Sequence, residues 1–315
     1  MTSIVPAMAA RPGTVGGPGA AAPASSSMTG ATTGGRGPSL AQPGPKPSRI
    51  LATIALVLVG VAFIIPLVWI VVSAFSGSAT VSLSFPESWT LDNFSAVMTV
   101  DQTWRPLWNS LVLSMGAAVL TVVCGALAAY PLSRYQMRFK RSFMYTVLFG
   151  TCLPITAMMV PVYALFVSLN LLDSAPGLIA FMSATSLPMA IWMLKNFMDG
   201  VPIELEEAAW TDGAGSMRTL WSIVLPLMRP GLLVVFIFVF TQAWGNFFVP
   251  FVLTFDSAKQ PAAVAIYNFF GTYGAIAYGK LAAFAILYSV PVLVLYTLSQ
   301  KLSGSSFALA GAVKG

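Results

Sequence analysis

The chain has 315 residues, 57% of them hydrophobic and only 8% charged, with a formal net charge of +6. A soluble domain carries about 25% charged residues, so this composition excludes an ordinary water-soluble fold and places the chain in a bilayer. The complete absence of histidine removes imidazole catalysis, imidazole metal ligation and histidine proton relays together.

Residues 1–48 are dominated by Gly, Pro, Ala, Ser and Thr and end in Pro43-Gly44-Pro45-Lys46-Pro47. That composition buries too little apolar surface to offset the entropy of ordering, which predicts a disordered cytoplasmic tail. A secretory signal would place a short charged region directly before an apolar stretch of about 7–15 residues. Here a long polar tail precedes a full-length apolar run, and initiation at Met28 would shorten it without touching the rest. Beyond it, apolar runs near 51–74, 110–131, 143–168, 177–194, 231–254 and 281–299 each approach the roughly 20 residues of a spanning helix. They predict an all-α polytopic membrane protein with six transmembrane helices. Barrel strands, about 10 residues of alternating polarity, do not fit runs that are apolar on every side.

The flanking cations Arg36, Lys46, Arg49, Arg134, Arg138, Lys140, Arg141, Lys195, Arg218, Arg229, Lys301 and Lys314 all fall on one side of such a topology. That side is the cytoplasm, and both termini lie on it. The basic balance is therefore mostly a topology signal and needs no nucleic-acid partner. Cys124 and Cys152 sit inside apolar runs, where cysteine behaves as a small hydrophobe rather than half of a disulfide.

In chain order, the outer segment 75–108 holds Trp89, Trp104 and Trp108, which suit interfacial anchoring, with docking of an external partner as the second reading. The inner loop from Ser133 to Arg141 is basic, and positive-inside anchoring accounts for its charges. Pro154 and Pro161 lie in the third run, predicting a kinked helix that faces other helices rather than lipid.

Between the fourth and fifth runs, about 196–230, lie Asp199, Glu204, Glu206, Glu207, Asp212, Arg218 and Arg229. A short turn would have joined the two helices. Pro202 suits a helix first turn, and Glu204, Glu206 and Glu207 complement its positive end. Leu205, Ala208 and Ala209 form a narrow apolar stripe, and Gly213 permits a left-handed reversal. A helix lying on the bilayer would show a broad apolar face and basic residues. This segment is acidic, which favours a protein partner. Glu207, Ala208, Ala209, Gly213, Ile223, Leu225 and Pro226 set the spacing E-A-A-x3-G-x9-I-x-L-P.

That spacing resembles the cytoplasmic coupling motif of permease subunits in ATP-binding-cassette (ABC) importers. Residues 50–315 are similar to the carbohydrate branch of that family, typified by the maltose permease subunit MalG. The resemblance rests also on Ala129-Tyr130-Pro131-Leu132 running into Arg134, and on the final Gly311-Ala312-Val313-Lys314-Gly315. It implies that 204–213 is a coupling helix seated in a cleft of an ATPase subunit, with Glu207 making a charge contact, Asp212 beside it and Gly213 the turn. It further implies a second, MalF-like permease, an ABC ATPase dimer, an extracytoplasmic substrate-binding protein, a place in the bacterial inner membrane, and contact of Lys314 with the ATPase. No cofactor is expected in this chain, ATP and Mg belonging to the partner.

The fifth run offers Gln242, Trp244 and Asn246 as substrate-pathway candidates, because amides and aromatic faces suit sugar hydroxyls and rings. Interhelical packing is their alternative role. The family often has W-N-(D/E)-F here, from which Gly245 and Asn246 depart. No carboxylate or lysine lies near the middle of a run, which disfavours an ion-coupled carrier. The chain also lacks a G-x-x-x-x-G-K-(S/T) phosphate loop, so energy must come from a separate ATPase. An ABC permease for an amino acid, peptide or glycerophosphodiester is the alternative cargo reading, and a secondary carrier the alternative class. A membrane enzyme would need a catalytic constellation, and none is visible.

Overall fold

The computed structural model describes the backbone of residues 47–81, 85–152, 154–270 and 276–312, and the side chains of 51–81, 85–152, 154–270 and 276–301. Residues 1–46 of the expected tail, and Lys314, lie outside the described residues. Residues 1–55 and 56–315 separate into two compact units. The first contributes only the start of helix α1 (Pro47–Ala74) to what is described, and everything below concerns the second.

The described residues are helical, with isolated bridges at Ser76/Trp89 and Phe270/Ile276 in place of strands. After α1 come α2 (Asp92–Val97), a π-turn (Val100–Trp104) and α3 (Arg105–Arg134), then α4 (Lys140–Gly150), α5 (Ile155–Ser168) and α6 (Ala175–Asp199). The polar segment follows as α7 (Glu204–Thr211), α8 (Ser216–Thr219), a π-turn (Leu220–Val224) and α9 (Leu225–Leu227). It leads into α10 (Arg229–Trp244), α11 (Phe248–Leu253), α12 (Ala262–Ala265) and α13 (Tyr278–Ala312). Among the described residues four helices are long and apolar enough to cross a membrane unbroken, and there are up to six spans if each of two bent pairs counts as one.

Two of the expected runs are not single straight helices. The run at 143–168 breaks between α4 and α5 with an 89° bend. Pro154 stands at the N-cap of α5 with extended backbone, and a proline without its N–H cannot carry the helical ladder across. Pro161, in contrast, is accommodated inside α5. The run at 231–254 ends its first helix at Trp244, where Gly245 is the C-cap. It restarts as α11, whose Val249 N–H donates to the Asn246 carboxamide oxygen at 3.1 Å. Hydropathy averages over this break because Phe247, Phe248 and Val249 are as apolar as the helices around it.

The core is a three-helix packing of α3, α6 and α10. Ala118, Ala126 and Ala129 of α3 meet Ala190 and Leu194 of α6 and Val235, Val239 and Phe240 of α10, all buried in one cluster. Small residues let the backbones approach, which is how helices associate where lipid removes the hydrophobic drive. Gly231 shows the closeness: a Cβ there would lie 2.4 Å from Cγ of Phe197. Gly231→Leu is accordingly expected to destabilise the subunit by about 1–3 kcal/mol through overpacking, read as a lowered Tm in detergent. At the other end of α3, the Asn109 amide donates to the carbonyls of Ala258 (2.9 Å) and Gln260 (3.1 Å), and Asp173 Oδ1 accepts from the N–H groups of Phe255 and Asp256. Exposed ion pairs, Arg105 with Asp101 and Lys259 with Asp256, lie at the same end. By contrast α1 is apolar on every side and exposed through most of its length, from Leu56 to Leu67. Cys124 and Cys152 are both free.

Candidate functional site

The helix α7 carries the acids Glu204, Glu206 and Glu207 in its first turn and no side-chain cap. It stops in a Schellman arrangement: the Ala214 N–H donates to the Ala209 carbonyl (2.9 Å) and the Gly213 N–H to that of Trp210 (3.0 Å). Gly213 adopts φ +85° with no neighbour within 4 Å of a built Cβ, so the glycine answers a backbone need rather than a steric one. The chain then turns through α8 and the π-turn, burying Leu220 and Val224 beside Met198 and Val201. Ile223 and Leu225 are partly buried, and Pro226 opens α9. A cavity of about 300 Å³ lined by Ala209, Asp212, Arg218 and Ile223 separates α7 from the return path.

The two faces of α7 differ. Outward lie Glu207, Ala208, Asp212 and Gly213, all exposed, with Ala209 half-buried. The apolar side chains of Leu205 and Trp210 accompany them, 43% and 36% exposed, and Met217 and Trp221 extend the same loop's exposed apolar surface. Inward points Glu206, 0% exposed. Its Oε1 accepts from Arg134 Nε at 2.5 Å and its Oε2 from the Tyr130 hydroxyl at 2.9 Å. Arg134 Nη2 donates to the Val201 carbonyl (3.0 Å) and Nη1 to Ser133 Oγ (3.3 Å). The Ser133 hydroxyl donates to Asp199 Oδ1 (2.6 Å), and Asp199 is also paired with Lys195.

This corrects two expectations. Arg134 is not a solvated topology charge, since its side chain is only 6% exposed and ion-paired. Glu206 does not simply complement the helix dipole alongside Glu204 and Glu207. Tyr130, Arg134 and Glu206 form a buried polar network that the spacing argument missed. The signal available was the i, i+4 placement of Tyr130 and Arg134 on one face of a span end.

The expected pathway residues do not come together. Gln242 and Asn246 line a cavity of about 390 Å³ in which the hydroxyls of Thr151, Thr185 and Ser186 alternate with the apolar side chains of Ile155, Met182, Met189 and Phe238. Trp244 faces away from it. It is 3% exposed, its ring stacked on Phe240 and Tyr288 with centroids 5.6 and 5.4 Å away. Its carbonyl accepts the Tyr288 hydroxyl at 2.7 Å. Among the described residues there is no cluster able to hold a metal ion.

The structure is thus a bundle of apolar helices interrupted by a polar connector, α7 to α9, in which Glu206 is buried. The family model described as the binding-protein-dependent transport system inner membrane component matches residues 121–305. The diacetylchitobiose uptake permease NgcG of Streptomyces coelicolor is 32% identical over 78% of this chain and 83% of that protein. The maltodextrin transport permease MdxG of Bacillus subtilis is 33% identical over 85% of this chain and 97% of that one. A solved bacterial ABC transporter for import of the acidic polysaccharide alginate contains a chain of the same fold, with TM-score 0.68 and 22% identity over 81% of this chain and 96% of that one. The chain belongs to the family of inner membrane components of binding-protein-dependent transport systems. It is a multi-pass ABC permease rather than an enzyme.

Proposed function

We propose that this chain is the subunit through which an ATP-driven importer passes a carbohydrate delivered by an extracytoplasmic binding protein. The observation that carries the coupling part is the two-faced α7, with Glu206 locked inward and Glu207, Ala208, Leu205 and Trp210 left open to a partner. An exposed surface of mixed small and aromatic side chains on a polar connector fits a protein cleft better than lipid. In this reading Glu207, Ala208, Ala209 and Asp212 meet an ABC ATPase dimer, which binds ATP and Mg. A second permease completes the pathway, and both termini, with Lys314, lie on the ATPase side. The carbohydrate cargo is supported by the sugar names of NgcG and MdxG and by the mixed lining around Gln242 and Asn246, hydroxyls and amides beside apolar faces.

The test is capture of this chain, expressed with its genomic neighbours, followed by ATPase assay with the co-encoded binding protein. The expected result is co-purification of a second permease and an ATPase, with hydrolysis raised by sugar-loaded binding protein. Stimulation only by an amino acid or peptide would overturn the cargo, and isolation of a folded chain without ATPase would overturn the importer.

Two variants probe the parts. Gly213→Val forces a β-branched residue into a left-handed conformation at about 1–2 kcal/mol, in open space, so the complex should assemble while hydrolysis no longer drives uptake in proteoliposomes. Gln242→Leu should leave assembly and Tm near wild type, as surface changes usually stay within about 0.5 kcal/mol, and raise the substrate concentration needed for half-maximal uptake.

A further inference from the structure

The backbone around α7 is a poor transmitter of force. The helix has eight residues, shorter than the roughly 12–15 that hold together alone. Gly200 precedes it and Gly213 and Gly215 follow it, so a push on α7 could be absorbed by its own connectors.

We propose that Tyr130, Arg134 and Glu206 form a mechanical clamp that makes α7 move as one body with the inner ends of α3 and α6. These are positioning residues: they touch no substrate. The proposal rests on the reading of α7 as the helix an ATPase displaces, and adds where that displacement goes.

The geometry supports this in three ways. Both carboxylate oxygens of Glu206 are occupied by α3, one by Arg134 and one by Tyr130. The same guanidinium reaches the Val201 carbonyl, so it grips the 200–203 connector as well as the helix beyond it. Through Ser133 and Asp199 the network continues to Lys195, one turn back along α6. The slack between α6 and α7 is thereby pinned to α3 at both of its ends.

Stability alone does not explain the choice of residues. The surroundings are Met198, Val201, Leu220 and Val224, an apolar cluster in which a buried ion pair is often no better than well-packed hydrophobic residues of similar volume. What the polar set adds is direction. An apolar contact lets α7 slide and roll, whereas bonds to two different oxygens fix its distance and rotation.

The double variant Arg134→Met/Glu206→Leu separates these roles, because an apolar pair keeps the fold while removing the directional bonds. The assembled variant is expected to hydrolyse ATP while the solute imported per ATP falls about tenfold, within the usual range of coupling between linked sites. Import at the wild-type ratio would overturn the clamp. A second measurement leaves the cluster intact: spin labels at Glu204 of α7 and Tyr135 at the end of α3, both exposed, in the full transporter. Their separation is expected to be the same in nucleotide-free and nucleotide-trapped states while the transporter as a whole changes conformation. A change in that separation would overturn the proposal, even if the double variant fails to assemble. Failure of the underlying reading shows differently, as an unmodified chain to which no ATPase binds.

Discussion

Arg134→Met is expected to destabilise the folded subunit by about 3–5 kcal/mol, the cost of removing one partner from a buried ion pair and leaving the other charge behind. Glu206 is wholly buried and takes one of its bonds from Arg134. The remaining Tyr130 hydroxyl serves only the other oxygen, and the Val201 carbonyl also loses its donor. The check is denaturant or thermal unfolding in detergent, with Arg138→Met beside it. Arg138 is exposed and makes no ion pair among the described residues, so its variant should stay within about 0.5 kcal/mol of wild type. Equal effects from the two arginines would mean that charge on this loop, and not the pair, sets stability.

Trp244→Ala should cost a similar amount, about 3–5 kcal/mol, as a large buried ring deleted from a packed core. The indole is held between Phe240 of its own helix and Tyr288 of α13, and the Tyr288 hydroxyl ties the same point of the backbone. The expected phenotype is therefore reduced yield and weakened assembly, with solute preference unchanged in whatever complex survives. Normal Tm with altered uptake would place the ring in the pathway after all. The contrast with Gln242 is useful, because the two residues are neighbours in sequence and face different surroundings.

Much of this architecture was legible because its signals are local. The run at 51–74 and the coupling spacing depend on residues near one another, and Gly213 at φ +85° is a backbone requirement that a turn sequence announces. The run at 231–254 misled because hydropathy counts apolar side chains and cannot see that Gly245 ends a helix and that the Asn246 side chain holds the first turn of the next by accepting from the Val249 N–H. Glu206 was illegible for another reason. It stands with Glu204 and Glu207 in one helical turn, and nothing local says which of them turns inward. That choice is made by Arg134, 72 residues away, whose charge already had a sufficient explanation in topology. Likewise Trp244, Gln242 and Asn246 share one polar stretch, and only the position of α13 decides that the ring packs while the amides line a cavity.

The central claim is that the outward face of α7 is where the ATPase grips this chain. Cross-linking tests it most directly, with a single cysteine in place of Ala208, which is exposed, in a complex whose Cys124 and Cys152 are replaced by serine. A maleimide–benzophenone attached to Ala208→Cys should, on irradiation, join it to the ATPase subunit by insertion into a nearby C–H bond, while the same reagent on Lys259→Cys, at the opposite end of α3, should give no such product. An ATPase that co-purifies yet never links to position 208, or links equally from position 259, would contradict the account.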